Sequence, residues 1–207
     1  MSGSRRDRTR KAARREPFRA PKPKILIVCE GQNSEPQYLD GFWKACKNSR
    51  VDVIIPKGGR APLAVVQYAK DLKQKAEKAA RREHDENLSY DRVWGVFDVN
   101  SHPNIPDARL LAKQYGIQLA ISNPCFELWL LLHHRESPGA NRRDDIKAML
   151  KLAISNYDKS VDYRDYEDGY LRAVSQATRL DELAEQIGDP GKNPTTGVYR
   201  LTEEIRE

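Results

Sequence analysis

Two apolar runs in this chain each end on a carboxylate. Ile25-Leu26-Ile27-Val28-Cys29 leads into Glu30-Gly31, and Val93-Trp94-Gly95-Val96-Phe97 leads into Asp98. Short apolar runs bounded by turn residues read as strands buried on both faces, the pattern of a parallel sheet. The carboxyl ends of such strands share one edge, where open α/β sheets seat their ligands. Neighbouring strands lie ~4.8 Å apart, so Glu30 and Asp98 converge at that edge. Carboxylates at close range repel unless protonated or bridged by a cation. A hard divalent ion, Mg²⁺ or Mn²⁺, that takes a few carboxylates and keeps several waters is the natural solution. Asp98 also opens the polar loop Asp98-Val99-Asn100-Ser101-His102, with oxygen and nitrogen donors at alternate positions. Each acid has a plainer reading as a cap or a loop ion pair. For Glu35 that reading is strong, because an acid in the first turn of a helix suits the dipole.

Other chemistries find less support. Gly31 stands alone and Gly58-Gly59-Arg60 lacks a Lys-Ser/Thr ending, so neither a dinucleotide fingerprint nor a P-loop is present. No Gly-x-Ser-x-Gly elbow occurs, and Cys29 at the end of a buried strand reads as core. His133 and His134 are adjacent and point differently on a helix, which argues against ligation by both.

The elements that position the acids follow from periodicity. Glu35–Lys47 puts Tyr38, Leu39, Phe42, Trp43 and Cys46 on one helical stripe, entered through a Ser34/Gln37 capping box with Pro36 in the first turn. Val51–Pro56 is a second short strand, and Pro62 starts a helix reaching about Asn87. The charged second half of that helix reads as a solvated face, or as a surface for a partner or a phosphate backbone. After the strand Arg92–Asp98 come a helix over Asp107–Tyr115, a strand over Ile117–Ser122 and an apolar helix over Cys125–His133. This alternation predicts an α/β fold with right-handed βαβ units and a mostly parallel central sheet flanked by helices. Beyond Gly139 the pattern turns helical. Asp144 caps a helix that turns Ile146, Met149, Leu150, Ala153 and Ile154 inward. A longer helix from Gly169 to Ile187 carries Leu171, Val174, Ala177, Leu180, Leu183 and Ile187, closed by Gly188 and Pro190. The expected division is an arm over 1–23, an α/β core over 24–138, and a C-terminal helical extension over 139–207 packed on that core.

The formal net charge of +6 hides an asymmetry. Residues 1–24 hold ten of the 36 Lys/Arg and two of the 30 Asp/Glu, leaving 26 basic against 28 acidic residues in the body. With no apolar periodicity and with Pro17, Pro21 and Pro23, the arm is expected to be disordered. It is an electrostatic arm for nucleic acid, through Arg5, Arg6, Arg8, Arg10, Lys11, Arg14 and Arg15, a solubility tail, or an Arg-rich organelle-targeting peptide without the usual apolar amphipathicity. No apolar run reaches the length of a membrane span and no signal peptide opens the chain, so neither a membrane nor export is expected. Three widely spaced cysteines in apolar surroundings fit buried thiols in a reducing cytoplasm.

Taken together, these residues resemble a known family. A strand ending Glu-Gly followed by one ending Asp-x-Asp is similar to the Toprim pattern of topoisomerases, primases and OLD-type nucleases. More closely, the chain resembles the RloB family of small Toprim-like proteins. The resemblance rests on Ile27-Val28-Cys29-Glu30-Gly31 with Ser34-Glu35-Pro36, Val93–His102, and above all the stretch Ser122-Asn123-Pro124-Cys125-Phe126-Glu127 through His133. Tyr157-Asp158-Lys159 and Asn193-Pro194-Thr195-Thr196 with Val198 add to it, so that it covers about residues 24–205.

The resemblance implies a Toprim-like core, a metal-dependent nuclease of prokaryotic defence, and an ABC/AAA-type ATPase partner. Glu30 would be metal ligand or general base and Asp98 the principal ligand, with Glu35 and His102 supporting the metal from behind. Where the Toprim pattern has a second Asp, this chain has Asn100, which offers an oxygen without charge and would hold a second metal less tightly. Glu127 either turns toward the metal edge or ties down its own helix N-terminus. Lys159 either stabilises phosphate charge in the transition state or is an exposed loop lysine. The rival expectation is a non-catalytic nucleic-acid-binding or sensor subunit with a degenerate site. Homo-oligomerisation stays open under both.

Overall fold

Strict alternation along the first strand builds a two-sided sheet. In β1 (Ile25–Cys29), Ile25, Ile27 and Cys29 face one core, while Leu26 and Val28 face another, and all five are fully buried. The structure, a computed structural model, describes residues 22–56, 61–99, 104–154, 157 and 160–207. Four further strands complete the sheet: β2 (Val51–Ile54), β3 (Arg92–Asp98), β4 (Gln118–Asn123) and β5 (Thr195–Thr196). Their order is β2-β1-β3-β4-β5. The first four are parallel, and β5 pairs antiparallel with β4 through Ser122↔Thr196 and Asn123↔Thr195.

Helices cover both faces, because strands buried on both sides need apolar partners on both. Val65, Val66 and Ala69 of α2 (Pro62–Glu83) and Ala108 and Ala112 of α3 (Ile105–Tyr115) pack with Leu26, Val28, Val93 and Phe97. The opposite core is larger. It takes in α1 (Ser34–Ala45), α4 (Glu127–Leu132), α5 (Arg143–Ala153), α6 (Tyr170–Gln186) and α7 (Val198–Arg206). The α/β class and the mostly parallel sheet therefore stand as the periodicity predicted.

At the centre of the larger core, the Tyr38 ring lies 5.5–6.1 Å from those of Phe126, Trp129, His133, Tyr163 and Tyr166. His133 belongs to this packing. Its Nδ1 lies 2.7 Å from the Tyr166 carbonyl oxygen, which can only accept, so Nδ1 carries the proton. Nε2 then accepts from the Tyr38 hydroxyl at 3.1 Å. Burial drives the His133 pKa down from 6.5 to about 3.

Several local expectations give way to tertiary contacts. Ser34 and Gln37 form no capping box: Asn33 holds the cap position and makes no side-chain cap bond. Ser34 Oγ instead meets the Tyr157 hydroxyl at 3.3 Å, and Gln37 Oε1 accepts the Val161 N–H at 2.7 Å. Asp144 lies inside the first turn of α5 rather than at its cap, and Asp145 accepts the Arg142 N–H at 3.4 Å. The Cys125–His133 helix contracts to Glu127–Leu132, and the Pro62 helix ends at Glu83. On α6 only part of the expected stripe faces inward, Ala177 buried with Val174 and Leu180 packed against the core. Tyr170, Ala173, Ala177 and Ala184 are buried, whereas Leu171 is 71% and Ile187 62% exposed. The Tyr170 ring packs 5.1 Å from Phe42 and its hydroxyl reaches Thr202 and Glu203, which sets the rotation of the helix.

Candidate functional site

The strand order changes direction between β1 and β3: the chain leaves β1 for β2 on one side and later returns to β3 on the other. A crevice opens at such a reversal, outside the carboxyl ends of the strands. Glu30 follows β1, its N–H continuing the ladder to the Val96 carbonyl at 2.8 Å. Its Oε2 accepts the Asp98 backbone N–H at 3.1 Å, joining two residues 68 positions apart. Asp98 shares its side of β3 with Trp94 and Val96. Its carboxyl therefore turns toward the layer that holds α1, α4 and α5, and it is only 3% exposed.

Two more acids reach the same cleft. Glu35, the second residue of α1, is 7% exposed, and its carboxyl lies where a Cβ on Gly31 would fall. Only a glycine at that loop position leaves room for it. Glu127, the first residue of α4, is buried and its Oε1 accepts from the Tyr157 hydroxyl at 3.3 Å. The carboxyl thus turns into the cleft, one of the two orientations expected of it.

The four acids sense one another. Burial raises the Glu35 pKa from 4.5 to about 7; its own backbone N–H opposes this, the Glu127 and Glu30 charges add to it, and Arg143 opposes it. Asp98 is held well above the usual carboxylate range, first by burial and then by Glu35, with Glu127 and Glu30 adding to the rise. One guanidinium, Arg143, works against that rise and is outweighed.

The compensating charges come from α5. Arg143 Nη2 lies 3.2 Å from Asp98 Oδ2, and Lys147 Nζ lies 3.7 Å from Glu127 Oε1. The Asp98–Arg143 pair is not saturated. Among the described residues, Asp98 Oδ1 and Arg143 Nε are both buried without a hydrogen-bond partner. Gly31–Glu35, Glu127, Arg143 and Lys147 line a cleft of about 300 Å³. An all-carboxylate donor set with an orphaned oxygen fits the chemistry of a hard divalent cation. Among the described residues, however, no three His, Cys, Asp or Glu side chains stand close enough to form a ready-made metal cage. As the side chains lie, a guanidinium and an ammonium carry the counter-charge.

Of the residues expected at the site, the structure brings together Glu30, Glu35, Asp98 and Glu127. Asn100, His102 and Lys159 lie outside the described residues, as do the Gly58-Gly59-Arg60 loop and Arg5, Arg6, Arg8, Arg10, Lys11, Arg14 and Arg15 of the arm. Arg143, Lys147 and the buried Tyr157 were not foreseen. A signal for the first two was present: Arg143, Lys147 and Lys151 recur every fourth residue beside the inward stripe of α5.

The stretches 122–133 and 193–198 also meet. Ser122 Oγ lies 2.9 Å from Thr196 Oγ1 beneath the β4–β5 pairing, and Asn123 Nδ2 donates to the Gly191 carbonyl at 2.8 Å. Together they anchor the start of α4 and hence Glu127. The RloB family model, described as RloB-like protein, matches residues 25–205, so the chain belongs to the RloB-like family. No curated protein and no solved structure gave a match. Among the described residues no helix is long and apolar enough to cross a membrane.

Proposed function

We propose, starting from that family membership, that this protein is a divalent-metal-dependent nuclease of Toprim type that hydrolyses phosphodiester bonds in DNA or RNA. It would act in prokaryotic defence against phage or foreign DNA, together with an ABC/AAA-type ATPase. The observation that carries the reading is the gathering of Glu30, Glu35, Asp98 and Glu127, from three stretches of the chain, at the sheet's carboxyl edge. Burying mutually repelling acids costs stability, and such perturbed groups cluster at sites of chemistry.

Glu30 is steered by the Asp98 N–H and serves as ligand or general base. Asp98 offers the unpartnered Oδ1. Glu127 adds an oxygen at the cleft wall, and Asn100 would assist the metal. Glu35, with its pKa near 7, can take up or release a proton at neutral pH. A bound Mg²⁺ or Mn²⁺ would activate water and neutralise the leaving oxygen.

A second reading, a non-catalytic nucleic-acid-binding or sensor subunit, is favoured by the cations already seated on Asp98 and Glu127. The test is incubation with tRNA, single-stranded DNA and plasmid in Mg²⁺, Mn²⁺ or EDTA, with and without the ATPase. The expected result is cleavage that EDTA and Glu30→Ala both abolish. Full cleavage by Glu30→Ala would overturn the role of Glu30, and absence of cleavage under every condition would leave the sensor reading.

A further inference from the structure

Helix α5 brings a line of cations to the acidic cleft. Arg143, Lys147 and Lys151 stand four residues apart on one stripe, next to the buried Ile146 and Leu150. The first two are engaged at the cleft wall, and Lys151 is exposed beyond them.

The engagement is loose in a telling way. A guanidinium and a carboxylate in full contact share two parallel hydrogen bonds. Here one Nη reaches one oxygen, while Nε and the other Asp98 oxygen have no partner among the described residues. Lys147 lies 3.7 Å from Glu127 Oε1, an ion pair too long to be a hydrogen bond. Both cations therefore neutralise the acids without being locked to them. Both also border the open volume of the cleft, where a strand's phosphate would enter.

We infer that Arg143 and Lys147 are the phosphate-holding residues of this cleft and work by exchange. They balance Asp98 and Glu127 while no divalent cation is bound. When a divalent cation takes the carboxylates, they turn to the backbone phosphates of a nucleic-acid strand, and Lys151 continues the track outward. Arg143 is suited to this role because its planar fork matches a phosphate as well as it does a carboxylate. The inference deepens the nuclease reading and rests on it.

The test uses the full chain with Arg143→Met, Lys147→Met, the double variant and Lys151→Met, each checked for its urea midpoint. Mg²⁺ affinity is measured by calorimetry without nucleic acid. Binding of a short labelled single strand, DNA or RNA, is measured in Ca²⁺ across a salt series. The double variant should bind Mg²⁺ about tenfold more tightly, since a competing charge-assisted contact is gone, and the strand about tenfold more weakly. The slope of log affinity against log salt should fall by about 0.7 for each cation removed. Lys151→Met, which pairs with no acid among the described residues, should weaken strand binding and leave Mg²⁺ affinity unchanged. If the wild type takes up Mg²⁺ and the double variant binds it no tighter, the exchange is wrong. Unchanged strand affinity and salt slope in all variants overturn the phosphate role. A wild type that takes up no divalent ion removes the nuclease reading first, and the exchange with it.

Discussion

Replacing Glu35 by Gln keeps the shape that lies against Gly31 and removes the charge. In the folded protein the Glu35 carboxyl has a pKa of about 7, against 4.5 when unperturbed. The folded state therefore binds the proton more tightly than the unfolded chain. Between these two values it holds more protons, so stability falls as pH rises through the window. At 1.36 kcal/mol per unit, the ionised side chain costs the fold about 3 kcal/mol once pH exceeds 7. Glu35→Gln should thus match the wild type around pH 4 and gain on it steadily, to about 3 kcal/mol near pH 8.

The wild-type curve alone would obscure this. His133 has a folded pKa lowered from 6.5 to about 3, so the unfolded chain binds that proton more tightly, and stability is lost as pH falls through that range. The two slopes oppose each other between 4.5 and 6.5. His133 is common to both proteins and cancels in their difference. The assay is urea unfolding of both in EDTA at a series of pH values, with equal m-values required before midpoints are compared. An amide left short of one hydrogen bond costs about 1–3 kcal/mol, which displaces the difference curve without changing its slope. A difference that stays flat across the window would show that burial and the neighbouring acids do not hold Glu35 neutral. Under the nuclease reading, Mg²⁺ should also flatten the wild-type curve above neutrality.

Gly169→Ala should destabilise the fold by about 1–3 kcal/mol, read as a lower urea midpoint, because its Cβ would fall on the His133 carbonyl oxygen, which is backbone and cannot rotate away. Nitrogen NMR should find His133 neutral from about pH 5 upward with the proton on Nδ1; the other tautomer would contradict the Tyr38–His133–Tyr166 chain. Tyr38→Phe leaves Nε2 without its donor and should cost about 1–3 kcal/mol. Tyr157→Phe releases Glu127 Oε1 and Ser34 Oγ. It should cost about 1 kcal/mol and weaken Mg²⁺ binding by calorimetry; an unchanged affinity would count against Glu127 as a ligand.

Some of this architecture was legible in the chain itself, for physical reasons. Ile25–Cys29 and Val93–Phe97 are apolar on both faces, which only a sheet covered on both sides can accommodate. An acid directly after such a run has one place to be, so the approach of Glu30 to Asp98 followed once the strands were parallel neighbours. Helix rotation was less legible. In α6 Leu171 and Leu183 are left exposed, and the buried positions fell to Tyr170 and the alanines through contacts with Phe42, Thr202 and Glu203. The side chains of Ser34 and Gln37 had a local use in capping, and distant partners took them instead.

What the sequence determined by itself was therefore the sheet, its direction and the acids at its edge, because burial of backbone and apolar side chains is a local, periodic demand. The charge balance of that edge was decided only in three dimensions. Glu35 is an ordinary first-turn acid until Gly31 lets its carboxyl lie across the loop. Arg143 and Lys147 are ordinary helix cations until α5 packs beside α4 and sets them against Asp98 and Glu127. Electrostatic energy depends on distance and on the exclusion of water, and neither quantity exists for these groups before the chain has folded.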